Sequence, residues 1–285
     1  MIYISTGGFK SQPASETAKL LAENGFFAIE LSGGVYENNQ LVKLKDLQIE
    51  YGINFKVHNY FPPPSIPFVF NLGSLNKDIA SLSINHAKKA IDYSMELGSN
   101  IYSFHAGFLL DPGVSELGET ITSRGLYDRK ESMKVFIDRV NDLSEYANSK
   151  KVSLLIENNV VSSSNFKQFS GDPLLMTSSH ECEYIMENTP SNVNLLVDVA
   201  HLKVSSQSLG LDPILFLNKC KKWIRAYHLS DNNGMEDENK SFDSNAWFWP
   251  HIINGFDYYS LEVYTPSLSL LYEQSQLAEA KVLKS

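Results

Sequence analysis

Eight short runs rich in β-branched and aromatic residues are separated by longer stretches of helical period, and this alternation constrains the fold more than any other feature of the chain. The runs are IYIS from Ile2, FFAIEL from Phe26, INFKVH from Ile53, NIYSFH from Asn100, VSLLIE from Val152, VNLLVD from Val193, WIRAYH from Trp223 and YYSLEV from Tyr258. Helical period marks segments 15–24, 39–51, 75–97, 128–149, 173–188 and 212–221. Gly25, Gly52 and Gly98 follow three of these, where a left-handed C-terminal residue is wanted. VSLLIE and VNLLVD are apolar along most of their length, as parallel strands are when both faces are covered. Eight β-then-α units in 285 residues match a single (β/α)8 TIM barrel in count and size. An open doubly wound sheet is the alternative, but no G-x-G-x-x-G follows the first run. No Pro, Gly or Ser-rich linker divides the chain, so one domain over residues 1–285 is expected.

Composition narrows the function classes. Lysine and arginine number 24 against 33 acidic residues, a formal net charge of −9, which disfavours a general grip on nucleic-acid backbone. No apolar run approaches the roughly 18 residues of a membrane span, and MIYISTGGFK lacks the basic start of a signal peptide. A cytoplasmic protein with neither a nucleic-acid nor a membrane partner is expected. Cys182 and Cys220 have no CxxC spacing and read as reduced thiols.

The acids and histidines fall at strand ends. The third to eighth runs end at or beside His58, His105, Glu157, Asp198, His228 and Glu262, and His201 follows Asp198 by three residues. In a barrel these ends converge on the rim where loops build the active site. Taken singly, each residue has an ordinary explanation, such as a carboxylate capping the next helix. Together, several buried carboxylates repel and lose solvation unless protons or a cation intervene. Glu157, Asp198, His228 and Glu262 would give one divalent ion a mostly oxygen shell with an open position, suited to Mn²⁺, Mg²⁺ or Co²⁺ and compatible with Zn²⁺.

At these residues the sequence resembles the xylose isomerase-like TIM barrels, a superfamily of sugar isomerases, ketose 3-epimerases, inosose dehydratases and the endonuclease IV group. The matching pieces are LLIENN around Glu157, LLVDVAH with Asp198 and His201, AYHLSDNNG around His228 and SLEVY around Glu262. KVHNY at His58, SFHAG at His105 and AIEL at Glu30 support them. The resemblance implies a metal-dependent carbohydrate isomerase or epimerase in which Glu157, Asp198, His228 and Glu262 hold the ion. It further implies that His201 binds substrate and that Glu157 and Glu262 pass a proton through a metal-stabilised enediolate. His58, His105 and Glu30 are expected as further substrate contacts. The alternatives are a lyase of the inosose dehydratase type, a non-catalytic sugar- or metal-binding protein and an endonuclease IV-like nuclease.

Two departures bear on that choice. The endonuclease IV group has an Asp-x-His after the seventh-strand histidine, and this chain has Asp243, Ser244 and Asn245 there. Many ketose 3-epimerases place an arginine six residues past that histidine, and Gly234 stands here. The departure points to another sugar, an amino or acyl sugar, or a sugar phosphate. A homo-oligomer is left open.

Several loop features have two readings each. Connections 106–127 and 231–255 exceed plain turns and are expected to be functional. The segment from His58 to Pro64 reads as a rigid pocket wall, with a proline-rich ligand motif as the alternative. Trp247, Phe248 and Trp249 could stack on a sugar or pack under their loop. Gly7, Gly8, Gly33 and Gly34 could meet a phosphate or make turns, and Arg124 and Arg129 could pair with an anionic substrate or lie at the surface.

Overall fold

The computed structural model describes residues 1–282. Its strands are β1 (Ile2–Ser5), β2 (Ala28–Ser32), β3 (Asn54–His58), β4 (Ile101–His105), β5 (Ser153–Glu157), β6 (Val193–Asp198), β7 (Ile224–Leu229) and β8 (Tyr259–Leu261). They pair in parallel in chain order, and β8 closes on β1, giving a closed (β/α)8 barrel. Each sequence run marks one strand, with β2 and β7 extending one residue past theirs, to Ser32 and Leu229. His228 is the penultimate residue of β7, and Glu262 lies one residue past β8.

The helices are α1 (Ala14–Glu23), α2 (Gln40–Tyr51), α3 (Lys77–Glu96), α4 (Arg129–Ser149), α5 (Ser163–Phe169), α6 (Ser179–Glu187), α7 (Val199–Leu209), α8 (Pro213–Cys220) and α9 (Leu268–Val282). The helix expected over 173–188 starts six residues late. Ser178 is its N-cap, accepting from the Glu181 backbone N–H at 3.3 Å, and Leu174, Leu175 and Met176 before it are buried in non-helical backbone. No helix among the described residues is long and apolar enough to cross a membrane.

Two-residue periodicity sorts the strand side chains. Ile29, Leu31, Tyr102, Phe104, Leu154, Ile156, Leu195 and Val197 belong to the main core that includes the helices. Tyr3, Ala28, Leu155, Leu196, Ala226 and Tyr258 form a second cluster inside the barrel. Two residues further along the same strands, on the same inward face, stand Ser5, Glu30, Glu157, Asp198, His228 and Ser260. Every one of these is polar and buried. The barrel interior therefore turns from apolar to polar within one layer, toward the C-terminal ends of the strands.

Several ambiguous segments resolve as packing. Phe248 is fully buried, and Phe242 meets the Trp249 ring edge-on at 5.3 Å, so this aromatic cluster pins the loop after β7. Pro62 and Pro63 are buried while Tyr60 lines a cavity, in keeping with a wall rather than a ligand motif. Cys182 and Cys220 are free, buried thiols.

Candidate active site

Glu157, Asp198 and His228 come from β5, β6 and β7, and Glu262 follows β8. One ligand atom from each lies within 4.8 Å of the others, and all four residues are buried. Asp198 ends β6 and begins α7. Its Oδ1 accepts from the His201 backbone N–H at 2.7 Å, so the carboxylate caps the helix while Oδ2 has no hydrogen-bond partner. His228 donates from Nε2 to Glu30 Oε2 at 2.9 Å, and the same oxygen accepts from the Tyr258 hydroxyl. His228 Nδ1 then faces Glu157 Oε1 at 3.2 Å, Glu262 Oε1 at 3.6 Å and Asp198 Oδ2 at 3.9 Å. A carboxylate behind an imidazole fixes the tautomer and tilt of a metal-binding histidine. Both Glu157 oxygens, Asp198 Oδ2 and His228 Nδ1 are buried without a hydrogen-bond partner, a cost that folded proteins offset with an ion or ordered water. Three carboxylates and one imidazole form a donor set that fits a divalent cation.

The protein's own charges drive these groups apart. Burial, reinforced by the Glu30, Glu157 and Asp198 carboxylates, raises Glu262 to about 8 despite His228. Burial also raises Asp198 to about 6, with Glu157 and Asp237 adding to it and His201 opposing. Glu157 is held well below the usual carboxylate range. Burial works against this, but the imidazoles of His105, His228 and His58 outweigh it. Burial likewise opposes ionisation of Glu30, which His228 and His58 nevertheless hold at about 2. Burial lowers His58 to about 3, so that ring is neutral.

His58, His105, His201 and Glu262 line a cavity of ≈ 480 Å³. Glu157 lies directly behind the three histidines. Its Oε2 is 3.3 Å from both His58 Nε2 and His105 Nδ1, and its Oε1 is 3.4 Å from His201 Nδ1. His201 Nδ1 also faces the Asn158 carbonyl at 3.1 Å, and Nε2 faces Asp237 Oδ2 at 3.2 Å. Both of these partners are acceptors, so the ring carries both protons. Its proton affinity is raised accordingly, because Asp198 and Asp237 outweigh burial.

The sequence profile of the xylose isomerase-like TIM barrels matches residues 18–260. The chain belongs to this family. An uncharacterized protein of Methanocaldococcus jannaschii is 21% identical over 242 residues, which span 83% of this chain and 72% of that protein. A D-tagatose 3-epimerase-like protein matches with a TM-score of 0.74 and 19% identity, over 99% of this chain and 97% of its own. A 3-keto-D-glucoside 4-epimerase from E. coli matches with a TM-score of 0.65 and 15% identity, over 97% of each chain. At these identities the likeness to the solved structures is one of fold.

In this xylose isomerase-like barrel the expected substrate contacts divide. His58, His105 and His201 reach the cavity. Glu30 is fully buried behind His228, and its Oε2 accepts from His228 Nε2. Arg124 and Arg129 are also committed elsewhere. Arg124 pairs with Glu116, and Arg129 pairs with Asp172 at 3.1 Å and Glu181 at 2.8 Å. Gly7 serves close packing, since a Cβ there would fall 2.4 Å from the Tyr264 hydroxyl oxygen. Tyr258, Tyr264 and Asp237 are the site residues that sequence reasoning missed. Tyr258 and Tyr264 each differ from Glu262 by an even number of positions, a signal that strand periodicity carried unnoticed. Asp237 sits in an irregular loop, where no periodicity points to it.

Proposed function

We propose that the protein is a carbohydrate isomerase or epimerase that depends on one divalent metal ion, held by Glu157, Asp198, His228 and Glu262, with residues 1–285 acting as one catalytic domain. The observation that carries this reading is the convergence of four buried ligand atoms within 4.8 Å, several without any other partner, behind a cavity of ≈ 480 Å³. Family membership and the epimerases that share the fold support a carbohydrate substrate. A bound cation would supply positive charge that lowers the cost of the negative charge developing when a proton leaves a carbon beside a carbonyl. Glu157 and Glu262, the second of them at the cavity wall, would pass that proton between them, one carboxylate acting as base and the other, once protonated, as acid. His201 offers its Nε2 proton to a substrate oxygen in place of Asp237.

The test is proton exchange between candidate sugars and D₂O, with metal content measured on the same samples. Glu157→Gln and Glu262→Gln should each lower exchange by about 10² to 10⁴-fold, the usual worth of a positioned acid or base, in samples that still hold the ion. His201→Ala should weaken sugar binding and leave the metal in place. Parental exchange rates in both metal-loaded glutamine variants would overturn the proton-transfer roles. An Asp198→Asn variant that binds divalent ions as the parent does would overturn the metal site.

A further inference from the structure

The two sides of the cavity differ in chemistry. In the closed barrel the loops after β3, β4 and β5 stand across from those after β7, β8 and β1. The first arc contributes most of the apolar lining, Tyr60, Phe70, Phe108, Leu117, Ile121 and Leu174, with Glu116, Glu119, Asn159 and Asn165 among them. The long connection after β4 supplies Leu117, which is 49% exposed and forms the outer edge of this apolar wall. The second arc contributes Lys10, Glu236, Asp237, Glu238 and Tyr264.

The charges do not suit an anion. Among the described residues that line the cavity, Lys10 is the one lysine or arginine. Arg124 and Arg129 are spent on the ion pairs given above. Gly234 carries no side chain, and its φ of +81° disfavours one there. Lys240 answers Glu238, Arg124 answers Glu116 and His201 answers Asp237, which leaves Glu119 and Glu236 around the opening against Lys10. A phosphate entering here would meet carboxylates and find no guanidinium fork. The cavity is also larger than a bare hexose needs. Twelve heavy atoms claim at most about 360 Å³, even at the roughly 30 Å³ that each molecule of liquid water occupies.

We propose that the cavity takes an uncharged sugar bearing an apolar substituent, and discriminates against sugar phosphates. The sugar ring lies by His58, His105, His201 and Glu262, and the substituent lies along Phe108, Leu117 and Ile121. This inference rests on the carbohydrate reading above and adds to it the substrate class.

Binding to the Mn²⁺-loaded full chain tests it by calorimetry. The probes are glucose and fructose, each as the free sugar, the 6-phosphate and the phenyl glycoside. The phenyl glycosides should bind at least about tenfold tighter than the free sugars, a modest return for burying a phenyl ring, and the 6-phosphates should bind more weakly than either. Leu117→Asp should bring the glycoside down toward the free sugar. Glu236→Lys should raise affinity for the 6-phosphates in a way that added salt removes. The proposal is overturned if the 6-phosphates bind as tightly as the free sugars, if the phenyl group brings no gain, or if no probe binds. The broader reading fails by a different observation, the loss of divalent-ion binding that depends on Asp198, which the same titrations measure before any sugar is added.

Discussion

Glu30 and Glu157 are both inward-facing carboxylates near strand ends, yet one serves a neighbouring side chain and the other belongs to the ligand cluster. The difference is what each one faces: Glu30 Oε2 accepts from His228 Nε2 and the Tyr258 hydroxyl, whereas neither Glu157 oxygen has a hydrogen-bond partner. Glu30→Gln keeps the shape but weakens the acceptor that holds His228 Nε2. Metal affinity should fall by about 10 to 100-fold with the fold intact, as outer partners of metal ligands usually behave, and titration with Mn²⁺ measures it. A variant that binds like the parent would mean that Tyr258 and packing orient His228 without the carboxylate. The sequence announced which way these side chains face, because strand period is two and apolar runs ending in His, Glu or Asp stand out. It could not announce which inward neighbours each would meet, which follows from strand stagger around the barrel. Asp237 was hidden for another reason: the acidic stretch from Glu236 to Glu238 looks like any solvated loop until His201 is seen 3.2 Å away.

All eight strands were legible from their alternation with helices, but α5, α7, α9 and the start of α6 were not. α7 begins directly at Asp198 with no polar gap and buries Val199, Ala200, His201, Leu202, Val204, Ser205 and Ser206, so too little of it is polar for a clear helical stripe. α5 is seven residues of mostly polar sequence with no fully buried residue, and local composition gives little to read. The start of α6 is set by the Ser178 cap, while Leu174 to Met176 before it carry an apolar pattern that strand, loop and helix share. The loops after β3 and β4 are locked together by Asn71. Its Nδ2 donates to the Phe108 and Leu110 carbonyls and to Asp111, and its Oδ1 accepts from the Gly73 and Phe108 backbone N–H groups. Gly107 sits against this knot, and a Cβ there would fall 2.8 Å from Gly73 N and 2.9 Å from Asn71 Oδ1. Gly107→Ala must therefore push backbone away from backbone, and urea unfolding should show a loss of about 1–3 kcal/mol, the usual cost of overpacking. Because Phe108 moves with that loop, phenyl glycoside binding should weaken in the same variant. An unchanged unfolding midpoint would mean that the two loops separate freely.

At the scale of the molecule, the polar layer inside the barrel ties folding stability to pH and to metal. Asp198 and Glu262 have folded proton affinities raised to about 6 and about 8, above their ordinary values of 3.8 and 4.5. A native state that holds protons which the unfolded chain has already released loses stability as pH rises between the two values. His228 and His201, also raised, act in the same direction: their contribution is present below the ordinary histidine value and is lost as pH climbs through the folded one. Glu30 and Glu157 are depressed, so their contribution is present above the ordinary value of 4.5 and is lost only in more acid solution. His58, His105 and His86, all lowered by burial, act in the opposite sense below the ordinary histidine value of 6.5, so the metal-free chain should become less stable as pH rises between about 6.5 and 8. A divalent ion competes with the protons on Asp198, Glu262 and His228, so its binding strengthens over the same interval and releases protons as it does so. The expected result is a Tm difference between Mn²⁺-loaded and metal-free protein that is small at pH 5 and widens steadily to pH 8. Scanning calorimetry at several pH values, in buffers that do not bind metal, measures it. A Tm difference that stays flat with pH would show that the ion displaces no protons from this cluster and binds elsewhere, whereas a widening difference that disappears in Asp198→Asn would tie the metal, the protons and the stability of the barrel to the same four side chains.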